Sequence, residues 1–151
     1  MDRLERLEAA EAIRSLKALY FRLIDTREWD ELRGVFTADL QVIAPDGAVW
    51  LEGGDAYAAS LKLSLENAIS CHQGLTAEIE ILTPDTARAI WAMQDVIAWE
   101  DRHPREGWKA ITGRGHYHET YRREEGQWRI ATLCLTRLRL DIEWPEGHHP
   151  A

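Results

Sequence analysis

The chain has little cysteine, no long apolar run and no basic stretch, and each absence closes off a class of function. Its two cysteines among 151 residues are Cys71 and Cys134, and no Cys-x-x-Cys pair occurs. Both sit in apolar, strand-like segments and no secretory h-region opens the chain, so they read as buried free thiols of a cytoplasmic protein. No stretch approaches the ~18 apolar residues of a membrane span. A net charge of -8 and a pI near 5.2 argue against a nucleic-acid surface. Arg122-Arg123 with Arg129, Arg137 and Arg139 come nearest to a basic stripe, but interleaved glutamates make a solvated or salt-bridged face the better reading. There is no glycine-rich phosphate loop, nucleophile elbow or zinc helix motif, and no cofactor is expected. His116-x-His118 sets two imidazoles on one strand face, yet no third ligand lies at a telling spacing, so no metal is expected either.

What is present points to one soluble globular domain over residues 1–144, with a flexible tail over 145–151. Hydrophobic residues make up 45% of the chain, and seven tryptophans suggest a large apolar interior, a cavity or a subunit interface. Leu4, Leu7, Ile13, Leu16, Tyr20, Leu23 and Ile24 recur at helical steps, and Thr26-Arg27 breaks the pattern. Trp29 to Phe36 reads as a short second helix. Leu40–Ile43 and Ala48–Leu51 flank the turn Pro45-Asp46-Gly47, and Asp55 is placed to cap a third helix running to Leu65. Residues 69–82, 86–100, 108–123 and 127–143 are four long strand candidates. Helices first and a long antiparallel meander second is an α+β layout. Gly113 and Gly115 are placed for a kink or bulge that lets the sheet curl into a cone with an apolar interior.

Four side chains stand out against this background. Asp25 ends the first helix, where the helix dipole disfavours a carboxylate; the bland alternative is a hydrogen bond into the turn. His72 enters a strand. Asp95 shares one strand face with Ala87, Ala89, Trp91, Met93, Ile97 and Trp99, so it must be paired, protonated or open to a cavity. Tyr20 lies five residues before Asp25, about 140° around the helix, so the two border one broad pocket without stacking. In the last strand, either Ile130, Cys134, Leu138 and Leu140 or the complementary set with Leu133 and Leu135 faces the helices. The other set then faces a partner, which predicts a homodimer or homotrimer.

Three segments carry a family resemblance: "AIRSLKALYFRLIDTREWDELRGVFTADLQV", "CHQGLTAEIEI" and "GHYHETYRREEGQWRIATLCLTRLRLD". They resemble the SnoaL-like branch of the nuclear transport factor 2-like superfamily over nearly the whole chain. The resemblance implies a cone-shaped α+β barrel, three N-terminal helices packed on a strongly curved mixed sheet, with a deep pocket between them. It also implies an Asp–His pair, the aspartate closing the first helix and the histidine entering from the sheet; Asp25 and His72 match. The bile-acid 7α-dehydratase pattern adds a tyrosine five residues before the Asp and a second Asp beyond the His, which Tyr20 and Asp95 match. The scytalone dehydratase pattern has a tyrosine where this chain has Ile24. The dehydrochlorinase pattern has a lysine near the site, and Leu19, Tyr20 and Phe21 supply none.

The expectation is therefore a cofactor-free lyase or isomerase of dehydratase type, acting on a small hydrophobic, steroid-like or polycyclic molecule. His72, Asp25, Tyr20 and Asp95 are the candidate catalytic residues, and Tyr117, Trp91 and Met93 the candidate pocket wall. Two alternatives use the same fold: a non-catalytic binder of an apolar ligand, and a structural subunit of a larger oxygenase assembly.

Overall fold

The computed structural model describes residues 1–147. Helix α1 spans Arg3–Asp25 and starts from a reciprocal cap, in which the Asp2 carboxylate accepts from the Glu5 backbone and the Glu5 carboxylate accepts from the Asp2 backbone. It ends in a Schellman turn: Glu28 N–H donates to the Leu23 carbonyl and Arg27 N–H to that of Ile24. Arg27 takes the left-handed conformation that such a turn needs, at φ +62°. A non-glycine residue there is disfavoured by about 1–2 kcal/mol. Its guanidinium offsets part of this by donating to the Ala68 carbonyl at 2.7 Å, which ties the helix end to the next sheet strand. The apolar stripe is buried only from Ile13 onward; Leu4 and Leu7 are exposed, although Arg6 in the same turns still donates to the Ile81 carbonyl.

The expected second helix is shorter than its pattern. Helix α2 covers Trp29–Leu32, a 3-10 turn follows over Arg33–Val35, and Phe36 already opens β1 (Phe36–Ile43). Strand β2 (Val49–Glu52) pairs back on β1, and α3 runs over Gly54–Leu65. Asp55 lies inside the first turn of α3 and is ion-paired with Arg33 rather than capping the helix; the cap is Gly53, at φ +98°.

Strands β3 (Ala68–Thr83), β4 (Thr86–Trp99), β5 (Ala110–Glu124) and β6 (Gln127–Glu143) follow the expected boundaries closely. The sheet order is β2-β1-β6-β5-β4-β3, with β1 and β6 parallel and every other pair antiparallel. This is the mixed, strongly curved sheet of an α+β cone. It stays open, with β2 and β3 as its edges, and α1 packs along β3. On β4 the period-two face from Ala87 to Trp99 is buried as expected.

Strand β6 does not keep one inward set. Ala131 and Leu138 are each extra residues relative to β5, so Ile130 pairs with Tyr121 while Thr132 pairs with Thr120, and Arg137 with Gly115 while Arg139 pairs with Arg114. Each bulge exchanges the two faces. Hence Ile130 and Leu133 are both buried, Arg137 turns inward, and Leu138 is 77% exposed. Neither alternating set proposed for β6 survives intact.

The cysteines also need correction. Both are free, but Cys71 is exposed and Cys134 half-buried. His72 faces inward, so its neighbour Cys71 on the edge strand must face out. No helix among the described residues is long and apolar enough to cross a membrane. From residue 148 on, the tail lies outside the described residues.

Candidate active site

The last turn of α1 delivers Asp25 to the inward face of β3. There its carboxylate accepts three hydrogen bonds: from His72 Nδ1 at 2.7 Å, from the Ser70 hydroxyl at 2.8 Å, and from the His72 backbone N–H at 2.8 Å. Burial alone pushes the Asp25 carboxyl up, but the hydrogen bonds from the His72 ring, the His72 backbone and Ser70 together hold it below the ordinary aspartate value. An ionised carboxylate that accepts from Nδ1 fixes the imidazole tautomer and leaves the Nε2 lone pair turned away from it. That nitrogen is then a base, and the carboxylate stabilises the imidazolium formed when it takes a proton.

The pair sits in an open cleft of about 480 Å³ between α1 and β3, lined by Ala18, Phe21, Arg22 and Leu75 besides Asp25 and His72. The His72 side chain is only 6% exposed and that of Asp25 22%. Phe21 shields the imidazole by stacking on it, with ring centroids 6.0 Å apart and planes 11° from parallel. Phe21 fits because residue 74 is glycine: a Cβ there would come within 2.6 Å of its ring. A bulge between Gly74 and Ala77 splays β3 at this point and opens a second cleft, of about 360 Å³, bounded by Lys17, Phe21, Gly74 and Trp91.

The other sequence-selected residues occupy different places. Tyr20 is buried in the core, its hydroxyl 3.4 Å from that of Tyr57 and its ring edge-on to Phe36 and Tyr117. Burial, then the neighbouring Tyr57 and Tyr117, raise its phenol well above the ordinary tyrosine value. Asp95 lies directly across the β3–β4 ladder from His72 and is buried. It is paired, as its apolar surroundings demand: Arg137 grips it with both terminal nitrogens, at 2.7 and 2.8 Å. The glycine at 113 makes room, since a Cβ would run into both side chains. Tyr117, Trp91 and Met93 are buried on the same inward wall. His116 and His118 lie on the outer face with ring centroids 6.3 Å apart, and His118 meets the Thr136 hydroxyl at 3.2 Å. Among the described residues no group of three or more metal-type side chains converges.

Three charged residues in or beside this site were not selected from sequence. Arg137 was assigned to a solvated face, and the two bulges of β6 explain why that parity failed; Arg122 and Arg139 do form the surface ion pairs expected of such a face. The first helix also carries a lysine beside the site after all, one turn before Phe21. Lys17 is buried and bonded to buried Glu119 at 2.5 Å. Tyr121 donates to the second oxygen of Glu119 and accepts from the Trp91 indole at 2.8 Å. The signal was available: Ile13, Lys17, Phe21 and Asp25 form one i, i+4 stripe, and Glu119 shares the inward face of Tyr117 and Tyr121.

Known proteins share this fold. A probable cyclase of Gibberella zeae is 30% identical and covers 87% of this chain and 92% of its own length. Hexachlorocyclohexane dehydrochlorinase LinA-type3 from Novosphingobium barchaimii has the same fold, with a TM-score of 0.75 at 20% identity over 99% of both chains. So does the "Putative Scytalone Dehydratase" from Novosphingobium aromaticivorans, with a TM-score of 0.75 at 20% identity over 97% of this chain and 98% of its own. The SnoaL-like domain family matches residues 5–133, well over half of the sequence. The chain belongs to the SnoaL-like domain family.

Proposed function

We propose that this protein is a cofactor-free lyase or isomerase in which His72 moves a proton on a hydrophobic, polycyclic, steroid-like substrate. The observation that carries the reading is the Asp25–His72 contact at 2.7 Å, with Asp25 further held by Ser70 and the strand backbone. His72 Nε2 takes a proton from a carbon made acidic by an adjacent carbonyl, and the electron pair left behind delocalises onto the carbonyl oxygen. Asp25 stabilises the imidazolium through Nδ1–H. The imidazolium then returns the proton, either to another carbon, giving an isomer, or to a departing hydroxyl, giving an alkene and water. Cyclase, dehydratase and dehydrochlorinase, the names of the relatives, suit a fold that runs such proton chemistry.

Tyr20 and Asp95 lie beneath the cleft, Tyr20 against Tyr57 and Asp95 gripped by Arg137. A role for Tyr20 as donor to the substrate oxygen, and for Asp95 as holder of a substrate polar group, therefore requires the core to open toward His72. Of the proposed apolar wall of Tyr117, Trp91 and Met93, Trp91 borders the second cleft. The open cleft favours a second reading, an apolar-ligand binder without turnover or a subunit of a larger assembly, since a sealed site is what proton abstraction gains most from. A homodimer or homotrimer formed through the outer sheet face fits the exposure of Ile69, Ile90, Val96 and Leu138; light scattering at micromolar concentration that returns a monomer mass would end that assignment.

The test needs no prior substrate. Polycyclic ketones are incubated with the protein in deuterated water, and exchange at the carbon beside the carbonyl is followed by NMR. His72→Ala is expected to lower catalysed exchange by roughly 10² to 10⁴-fold. A folded variant that keeps more than a few per cent of the rate removes His72 from the reaction.

A further inference from the structure

Proton transfer by Asp25 and His72 needs neither Lys17 nor Glu119, and a sealed ion pair is a costly way to fill a core. The ammonium is nevertheless placed with care. Its nitrogen lies 3.7 Å from the ring centre of Tyr117, 4.2 Å from that of Tyr20 and 4.6 Å from that of Phe21. Glu119 pins it there, and Tyr121 with Trp91 pins Glu119 in turn. An aliphatic side chain would touch the same rings but would hardly resist their tilting. A cation does resist, because its attraction depends on meeting the ring face.

Phe21 links the two pairs. It lies one helical turn below Lys17 and one above Asp25, under the ammonium, against Gly74 and parallel to the His72 imidazole. We propose that Lys17, fixed by Glu119, is a positioning residue for the proton-transfer pair: it sets the tilt of Phe21, and Phe21 holds the imidazole in the plane where Nδ1 meets Asp25. The assignment rests on the acid–base reading of His72. Lysine suits the task because a compact ammonium can sit over three rings at once, where the planar fork of arginine could not. Burial lowers the lysine's affinity for its proton, and Glu119, by its charge and hydrogen bond, opposes that fall.

The test is spectroscopic and independent of turnover. The whole chain is labelled at its histidine ring carbons and compared at one pH with the double variant Lys17→Met/Glu119→Leu, which removes both charges and nearly conserves volume. The expected result is a displaced His72 ring signal and severalfold faster exchange of its Nδ1 proton. The outer-face signals of His116 and His118 should stay in place and report an intact fold. In the ketone exchange assay the double variant should lose kcat with KM little changed. Should that variant fail to fold, Phe21→Leu, which leaves the ion pair untouched, must displace the same His72 signal. An unmoved His72 signal in either folded variant overturns the positioning role. If His72→Ala keeps full turnover, the acid–base reading falls while the spectroscopic result still decides whether Lys17 orients the ring.

Discussion

Two acid–base pairs are anchored on the same face of α1, eight residues apart, and they have opposite fates. Lys17 with Glu119 lies under the centre of the sheet, with side chains 1% and 0% exposed. Asp25 with His72 lies at the helix end, where α1 meets the edge strand β3 beside an open cleft. Each joins a carboxylate to a nitrogen base at hydrogen-bond distance, so the chemistry of the groups does not separate them. Location does. The pair in the middle of the sheet is almost wholly withdrawn from solvent and fixes shape. The pair at the seam of helix and edge strand lines an open cleft.

The largest expected effects break the buried pair by halves. Glu119→Leu strands the Lys17 charge among three rings and should cost about 3–5 kcal/mol, a large part of the roughly 5–15 kcal/mol that holds a domain of this size folded. A urea midpoint within error of wild type would contradict the burial of this pair. Lys17→Met added to it removes the stranded charge and should return most or all of the lost stability, since replacing a whole buried pair is commonly neutral or favourable. At the seam the pattern reverses. Asp25→Ala should cost only about 1–2 kcal/mol, because water in the cleft takes over some of the three lost hydrogen bonds. It should nevertheless reduce ketone exchange nearly as far as His72→Ala does. A variant that loses much stability and little exchange would place Asp25 with the structural pair.

This contrast was only half legible in the sequence. The strands of the second half could be read to within a few residues, because period-two burial on β4 and the turns Pro84-Asp85 and Glu125-Gly126 are local signals. Asp25 showed itself as a carboxylate at the wrong end of a helix, and Asp95 as a charge on an apolar strand face. Arg137 faces inward in register with Leu133 and Leu135, and it was hidden because the bulge at Ala131 brings Ile130 onto that same face, so no single alternating set runs along the strand. Lys17 was hidden for another reason: one lysine in a helical stripe looks like a side chain reaching out to solvent until an acidic partner is found, and Glu119 lies 102 residues away. Cys71 was misplaced although the rule was at hand, since an inward His72 on a pleated strand requires an outward neighbour.

The smallest effect is the pH dependence that the Asp25 carboxylate adds to stability. Its proton affinity is depressed in the fold by the His72 and Ser70 hydrogen bonds, against the opposing pull of burial. A carboxyl depressed in the native state binds its proton more readily when unfolded. Its contribution is therefore fully present above the ordinary aspartate value, near 3.8, and is lost as pH falls through the lower native value. Thermal midpoints of wild type and Asp25→Asn should differ most between about pH 5 and 7 and converge in the window below about pH 4. A difference that persists unchanged through that window would mean the carboxylate holds the site by shape alone. The charge that Asp25 offers to a protonated His72 would then be no part of what keeps the helix end seated on β3.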